Sequence, residues 1–237
     1  MLDLTGRVAI VTGGNGGIGL GMGRGLAKAG ARVIVAARDE AKSAAAVREL
    51  QALGADALAV AVDVADERSV DALVASAVER CGRLDILVNN AGINIRKPAQ
   101  ELALEEWRQV LDVNLTSAYL CSRAAYPHMK EAGGGKIVNI GAFAAQKGVG
   151  QMGAYTASKG TVIRMTEAMA AELREKNINV NCVLPTVIDT PENRAAMPKV
   201  DPAKWVAPAD LANVIVFLAS DAARAVHGAA VPVTGLS

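Results

Sequence analysis

Tyr155 and Lys159 stand four positions apart, the spacing that brings two side chains onto one face of a helix. A free phenol titrates near ~10, too high for proton transfer at neutral pH, and a neighbouring ammonium lowers that value by stabilising the phenolate. The pair is a candidate acid–base device, giving a proton to a substrate oxygen or taking one back. Far upstream lies the run Thr12-Gly13-Gly14-Asn15-Gly16-Gly17-Ile18-Gly19. Its glycines let the backbone turn tightly and approach a pyrophosphate, which then rests on the amide donors of a helix N-terminus. A glycine string alone also suits a flexible turn. Directly between a first strand and a first helix, it points to a dinucleotide.

These residues need a scaffold, and the hydropathy pattern supplies one. Short apolar runs alternate with helix-period segments: strands near 8–11, 32–37, 57–62, 86–89, 136–140 and 178–184, and a weaker seventh near 229–233. Helices are expected to about Ala29, near 39–53 and 66–81, in a long stretch to Lys130, and from about 154 to 175. Strands apolar on both faces, each followed by a helix, mean a doubly wound parallel sheet of about seven strands, an α/β Rossmann fold. Residues 1–237 read as one domain, and the proline-rich segment at about 186–208 reads as a lid over the carboxyl edge of the sheet. Gly21, Gly23 and Gly25 each cost the first helix ~1 kcal/mol against alanine, and close packing on the sheet is their expected purpose.

Composition narrows the function classes. With 51% hydrophobic residues the chain has ample surface to bury, which excludes disorder. Lys+Arg 25 against Asp+Glu 24 leaves a net charge of +1, with no basic footprint for nucleic acid. No apolar run approaches the ~20 residues of a membrane span. Cys81, Cys121 and Cys182 have neither disulfide nor metal-ligand spacing, and His128 and His227 are far apart, so reduced thiols, no metal and a cytoplasmic location are expected.

The end of the second strand should meet the adenosine ribose. An acidic residue there binds the 2′-hydroxyl of NAD, whereas an arginine suits the 2′-phosphate of NADP. The sequence has Ala37-Arg38-Asp39, which favours NADP(H) while leaving NAD(H) open, since Asp39 is adjacent and Asn15 stands where a second basic residue would help. Asp63 fits either an adenine contact or a helix cap.

Taken in order, Thr12-Gly13-x-x-x-Gly17-Ile18-Gly19, Asn89-Asn90-Ala91-Gly92, Asn114, Tyr155-x-x-x-Lys159 and Asn181-x-Val183-x-Pro185 resemble the short-chain dehydrogenase/reductase family along essentially the whole chain. The resemblance implies a hydride-transferring oxidoreductase of small molecules, with Asn114, Tyr155 and Lys159 catalytic. Lys159 would also hold the nicotinamide ribose, and Asn114 would anchor a water relay to it. Cofactor contacts carry over onto Gly13, Asn15, Gly17, Ile18, Gly19, Arg38, Asp63, Val64, Asn90, Ala91, Gly92, Tyr155, Lys159, Pro185, Ile188 and Thr190. Family members usually pair their long fourth and fifth helices between subunits, which implies a homodimer or homotetramer.

One family residue is missing. The serine that donates to the substrate carbonyl lies thirteen positions before the tyrosine, where this chain has Ala142, and Thr186 replaces the glycine after Pro185. Losing such a donor costs ~10²–10³ in rate. The lid, with Asp189-Thr190-Pro191-Glu192-Asn193-Arg194, Met197 and Trp205, is similar to that of dihydropteridine reductases, which also carry alanine there and reduce a ring nitrogen. Residues 1–140 resemble sugar-acid and alcohol oxidoreductases of the family, so a mosaic with a seam near Gly141 is one reading. Three functions stay open: a pteridine-type reductase, a carbonyl or secondary-alcohol oxidoreductase weakened by Ala142, and a cofactor-binding protein or engineered scaffold with little turnover.

Overall fold

The strands form where the apolar runs are densest. In the computed structural model, which describes residues 2–236, these are β1 Val8–Thr12, β2 Arg32–Ala37, β3 Ala57–Ala61, β4 Ile86–Asn89, β5 Gly135–Ile140, β6 Ile178–Pro185 and β7 Ala230–Val233. They make one parallel seven-stranded sheet in the order β3-β2-β1-β4-β5-β6-β7. Side chains alternate across it. Ala9 and Val11 of β1 enter one core with Leu26, Val33 and Ile215, while Val8 and Ile10 enter the other with Leu73, Leu87 and Met129. Each face therefore needs helices.

The helices are α1 Gly17–Lys28, α2 Glu40–Ala52, α3 Glu67–Cys81, α4 Leu104–Leu111, α5 Ser117–Glu131, α6 Gly153–Leu173, α7 Pro191–Ala196 and α8 Pro208–Ala219. Asp39 caps α2 by accepting from the Lys42 amide, and Asp66 caps α3 through Ser69. The long helical stretch begins only at Leu104, after an irregular segment, residues 90–103, and a π-helical turn at Asp112–Thr116 joins α4 to α5. The sequence reading assigns no element between the lid and the seventh strand; α8 fills that gap, starting at Pro208 and burying Leu211, Ile215 and Leu218. Its position also corrects the purpose of two of the α1 glycines. A Cβ on Gly25 would lie 2.7 Å from the Ala212 Cβ, and one on Gly21 would lie 3.0 Å from the Pro208 Cβ. Gly21 and Gly25 bring α1 against α8 rather than against the sheet, whereas Gly23 does face the sheet, with a Cβ there lying 3.7 Å from Val33 Cγ1 of β2.

The topology fixes where ligands can sit. From β1 the chain winds outward through β2 and β3, then returns to β4 on the other flank of β1. The crevice beyond the carboxyl ends of β1 and β4 is the switch point of such a sheet. Thr12 closes it: its hydroxyl oxygen accepts from the amides of Asn90 (2.9 Å) and Ala91 (3.0 Å).

Candidate active site

At the carboxyl edge the glycine turn is shaped for an anion. Gly13 has φ +63°, and a methyl on Gly19 would overlap the Gly13 carbonyl oxygen, so the turn closes only without side chains. Unlike α2 and α3, α1 begins behind Gly16 with no side chain capping it and no acidic residue in its first turn. Its leading amides are left for an external acceptor, which is what a dinucleotide pyrophosphate requires.

On one side of the turn a cavity of about 280 Å³ is lined by Gly13, Asn15, Arg38, Asp63, Val64, Ala91 and Gly92, all of them sequence candidates. Ala37 and Asp39 also line it. Asp39, however, is occupied in capping α2, and Asn15 donates to the Asp39 carbonyl (3.3 Å) and to Ser43 Oγ (3.3 Å). The second base expected to be absent is present: Lys42, in the first turn of α2, lines the same cavity, and a Cβ on Gly16 would lie 3.7 Å from its Nζ. The Asp39 cap, which sets where α2 starts, was the signal that could have found it. Asp63 Oδ1 accepts from the Ala65 amide at 3.0 Å, so its observed bond is a turn contact.

On the other side is a cavity of about 560 Å³ that brings together Ile18, Asn90, Gly92, Tyr155, Lys159, Pro185 and Ile188. Thr190 stands outside its lining, buried, with its hydroxyl capping α7 through the Asn193 amide at 3.2 Å. Asn193 of α7 and Met197, just past its end, line the cavity instead. Ile188 bridges to Val206, and Trp205 beside it is buried, anchoring the segment's far end. Met152 and Phe143, unmarked by the sequence reading, add apolar wall.

Tyr155 sits half-buried in the first turn of α6. Burial pushes its phenol above the ordinary value, and the opposing charge is Arg96. Lys159 is buried, its Nζ donates to the Ile140 carbonyl at 2.7 Å, and desolvation pushes it down to about 8. The site is thus set for a neutral phenol in the cofactor-free protein. Asn114 on the π-turn is buried and spends its side chain on Ile93, accepting from its amide (2.7 Å) and donating to its carbonyl (2.9 Å), and on Ser158 Oγ (3.0 Å). It pins the segment after β4 beside Gly92, whose missing Cβ would lie 3.2 Å from Asn114 Oδ1 and 3.3 Å from Lys159 Nζ.

Ala142 lines the large cavity with Tyr155 and is buried. Among the described lining residues the only hydroxyl besides that of Tyr155 is Thr186, which donates to the Thr234 carbonyl at 3.0 Å. Hence no residue visibly substitutes for the absent serine. Among the described residues no cluster of three or more His, Cys, Asp or Glu could hold a metal, and no helix is long and apolar enough to cross a membrane. His227 faces Asn179 Nδ2 at 3.2 Å, a contact within the fold.

Comparison with known proteins agrees with this geometry. The family model for short chain dehydrogenase matches residues 7–201. A cis-4-hydroxycyclohexanecarboxylate dehydrogenase of Sinomonas cyclohexanicum is 41% identical over 97% of this chain and 95% of its own. The structure of a candidate gluconate dehydrogenase from Agrobacterium tumefaciens superposes with a TM-score of 0.94 at 39% identity, covering 99% of this chain and 96% of that one. A candidate NAD(P)-dependent gluconate 5-dehydrogenase from Beutenbergia cavernae, with bound NADP, gives 0.91 at 36% identity over 99% and 97%. These alignments run through both sides of Gly141. The chain belongs to the short-chain dehydrogenase/reductase family and is an NAD(P)-dependent oxidoreductase.

Proposed function

We propose that the protein interconverts a small secondary alcohol, of the hydroxy-acid type, and its ketone, with NADP(H) as the preferred cofactor. The observation that carries this reading is the convergence of Tyr155, Lys159 and the glycine turn on one crevice. When bound, the nicotinamide supplies or accepts the hydride. Gly13 to Gly19 and the α1 amides hold the pyrophosphate. Arg38 and Lys42 take the 2′-phosphate, with Asp63 and Val64 beside the adenine and Asn90 to Gly92 along the middle of the cofactor. Pro185 and Ile188 would bound its nicotinamide end, with Thr190 behind them as the cap of α7. Lys159, released from the Ile140 carbonyl, holds the nicotinamide ribose. Tyr155 Oη gives its proton to the carbonyl oxygen in reduction and receives it back in oxidation.

Hydroxy acids are favoured because they are the substrates named for the three similar proteins above. Ala142 supports a second reading, reduction of a pteridine-like ring at nitrogen, where no carbonyl needs polarising. The long helices also present Leu104, Trp107 and Tyr119 to solvent, in keeping with a homodimer or homotetramer. The test is NADPH and NADH oxidation against a panel of keto acids, neutral ketones and quinonoid dihydropterin. Turnover of keto acids with NADPH is expected; turnover of the pterin alone would favour the second reading.

A further inference from the structure

The large cavity is electrically lopsided. Among the described residues two cations line it, Arg96 and Lys159, and no carboxylate does. Lys159 is buried and its ammonium is engaged by the Ile140 carbonyl. Arg96 is exposed at the cavity wall and has neither an ion pair nor a hydrogen bond among the described residues. Its neighbour Lys97 differs: that ammonium is neutralised by Glu106, 2.5 Å away. The backbone on both sides of Arg96 is tied down, at Ile93 by Asn114 and at Lys97 by its amide donating to the Gln151 carbonyl at 3.0 Å. A free guanidinium on a pinned segment, near enough to Tyr155 for its charge to act on the phenol, is a pre-set anion receptor beside the proton donor.

We infer that Arg96 determines substrate specificity by pairing with a carboxylate of the substrate, so that the site selects organic acids over neutral alcohols and ketones. This rests on the hydroxy-acid reading above and assigns it to a residue. The guanidinium fork matches a carboxylate with two parallel hydrogen bonds, which fixes the acid end and thereby the distance from it to the carbon under Tyr155. The carbon skeleton between the two lies against Phe143, Met152 and Met197.

The test separates binding from turnover. Cyclohexanecarboxylate and cyclohexanecarboxamide, matched in shape and differing in charge, are titrated calorimetrically into the NADP-loaded protein, into Arg96→Gln and into Arg96→Lys, with melting temperatures to verify folding. The unaltered protein should bind the carboxylate roughly 10-fold tighter than the amide, a difference that shrinks as salt rises. Arg96→Gln should erase the preference and Arg96→Lys should retain part of it. Equal affinities in the unaltered protein, no binding of the carboxylate, or a preference surviving in Arg96→Gln would overturn the assignment. Absence of NADPH oxidation with every ketone would instead defeat the oxidoreductase proposal, whatever the calorimetry gives.

Discussion

Ala142→Ser puts back the hydroxyl that the family pattern calls for, and the structure sets the size of its effect. Ala142 has extended backbone (φ −153°, ψ 138°), which serine adopts freely, and its side chain lies in the wall of the cavity that holds Tyr155. The residue also occupies the N-cap position of the short 3₁₀ turn Phe143–Gln146. As a cap, a serine hydroxyl uses a lone pair and leaves its O–H free to donate, so the two roles do not compete. One donor aimed at a developing oxyanion contributes ~10²-fold, or roughly 2.7 kcal/mol of barrier. The assay is kcat/KM for a ketone or keto acid and for quinonoid dihydropterin, in both proteins. A ketone gain approaching ~10² with flat or lower pterin activity is expected. No ketone gain from a folded, cofactor-binding variant would show that cavity shape, rather than the missing hydroxyl, limits carbonyl reduction.

Three further outcomes follow from the same geometry. Ala37→Asp should reverse the preference for NADPH, because a carboxylate binds a ribose diol and repels a 2′-phosphate, and Lys42→Ala should weaken NADPH by roughly 10-fold while sparing NADH; tighter NADH binding by the unaltered protein would refute both. Lys159→Met should stabilise the cofactor-free protein at pH 7. The buried lysine titrates at about 8 against 10.5 unfolded, so the unfolded chain holds the extra proton and stability rises with pH between those values. The penalty below pH 8 is about 3 kcal/mol at ~1.36 kcal/mol per unit, less roughly 1–2 kcal/mol for the orphaned Ile140 carbonyl, and the variant's advantage in denaturant midpoints should fade by pH 10.5. A pH-independent difference would mean that burial leaves the titration of Lys159 where it lies in the unfolded chain. Light scattering at micromolar concentration should give a dimer or tetramer, and a monomer would count against pairing through the helices that carry Leu104, Trp107 and Tyr119.

The sheet was legible because strands buried on both faces are runs of Val, Ile, Leu and Ala that nothing else in a soluble chain requires, and β2 runs from Arg32 to Ala37 as its run does. Helices α2 and α3 start within a residue of expectation because Asp39 and Asp66 cap them. Helix α8 went unmarked because Pro208 sits at the end of a proline-rich run, where a first-turn proline and a loop proline look alike. The paired side chains of the site, Tyr155 and Lys159, could be read from spacing. Their protonation could not, since it depends on burial and on whether Nζ meets a phenol or a carbonyl. Lys42 escaped for a related reason: a charge on a first helical turn is solvated in most proteins, and only the fold shows which cavity it lines.

The central claim is that Tyr155 moves the proton. Its most direct test is kcat/KM for NADPH-dependent reduction of a keto acid by Tyr155→Phe, which keeps the ring and deletes only the hydroxyl. Among the described lining residues the one other hydroxyl, Thr186, donates to the Thr234 carbonyl, so the loss should reach at least ~10²–10⁴-fold, with cofactor affinity retained. Full activity in Tyr155→Phe would contradict the mechanism.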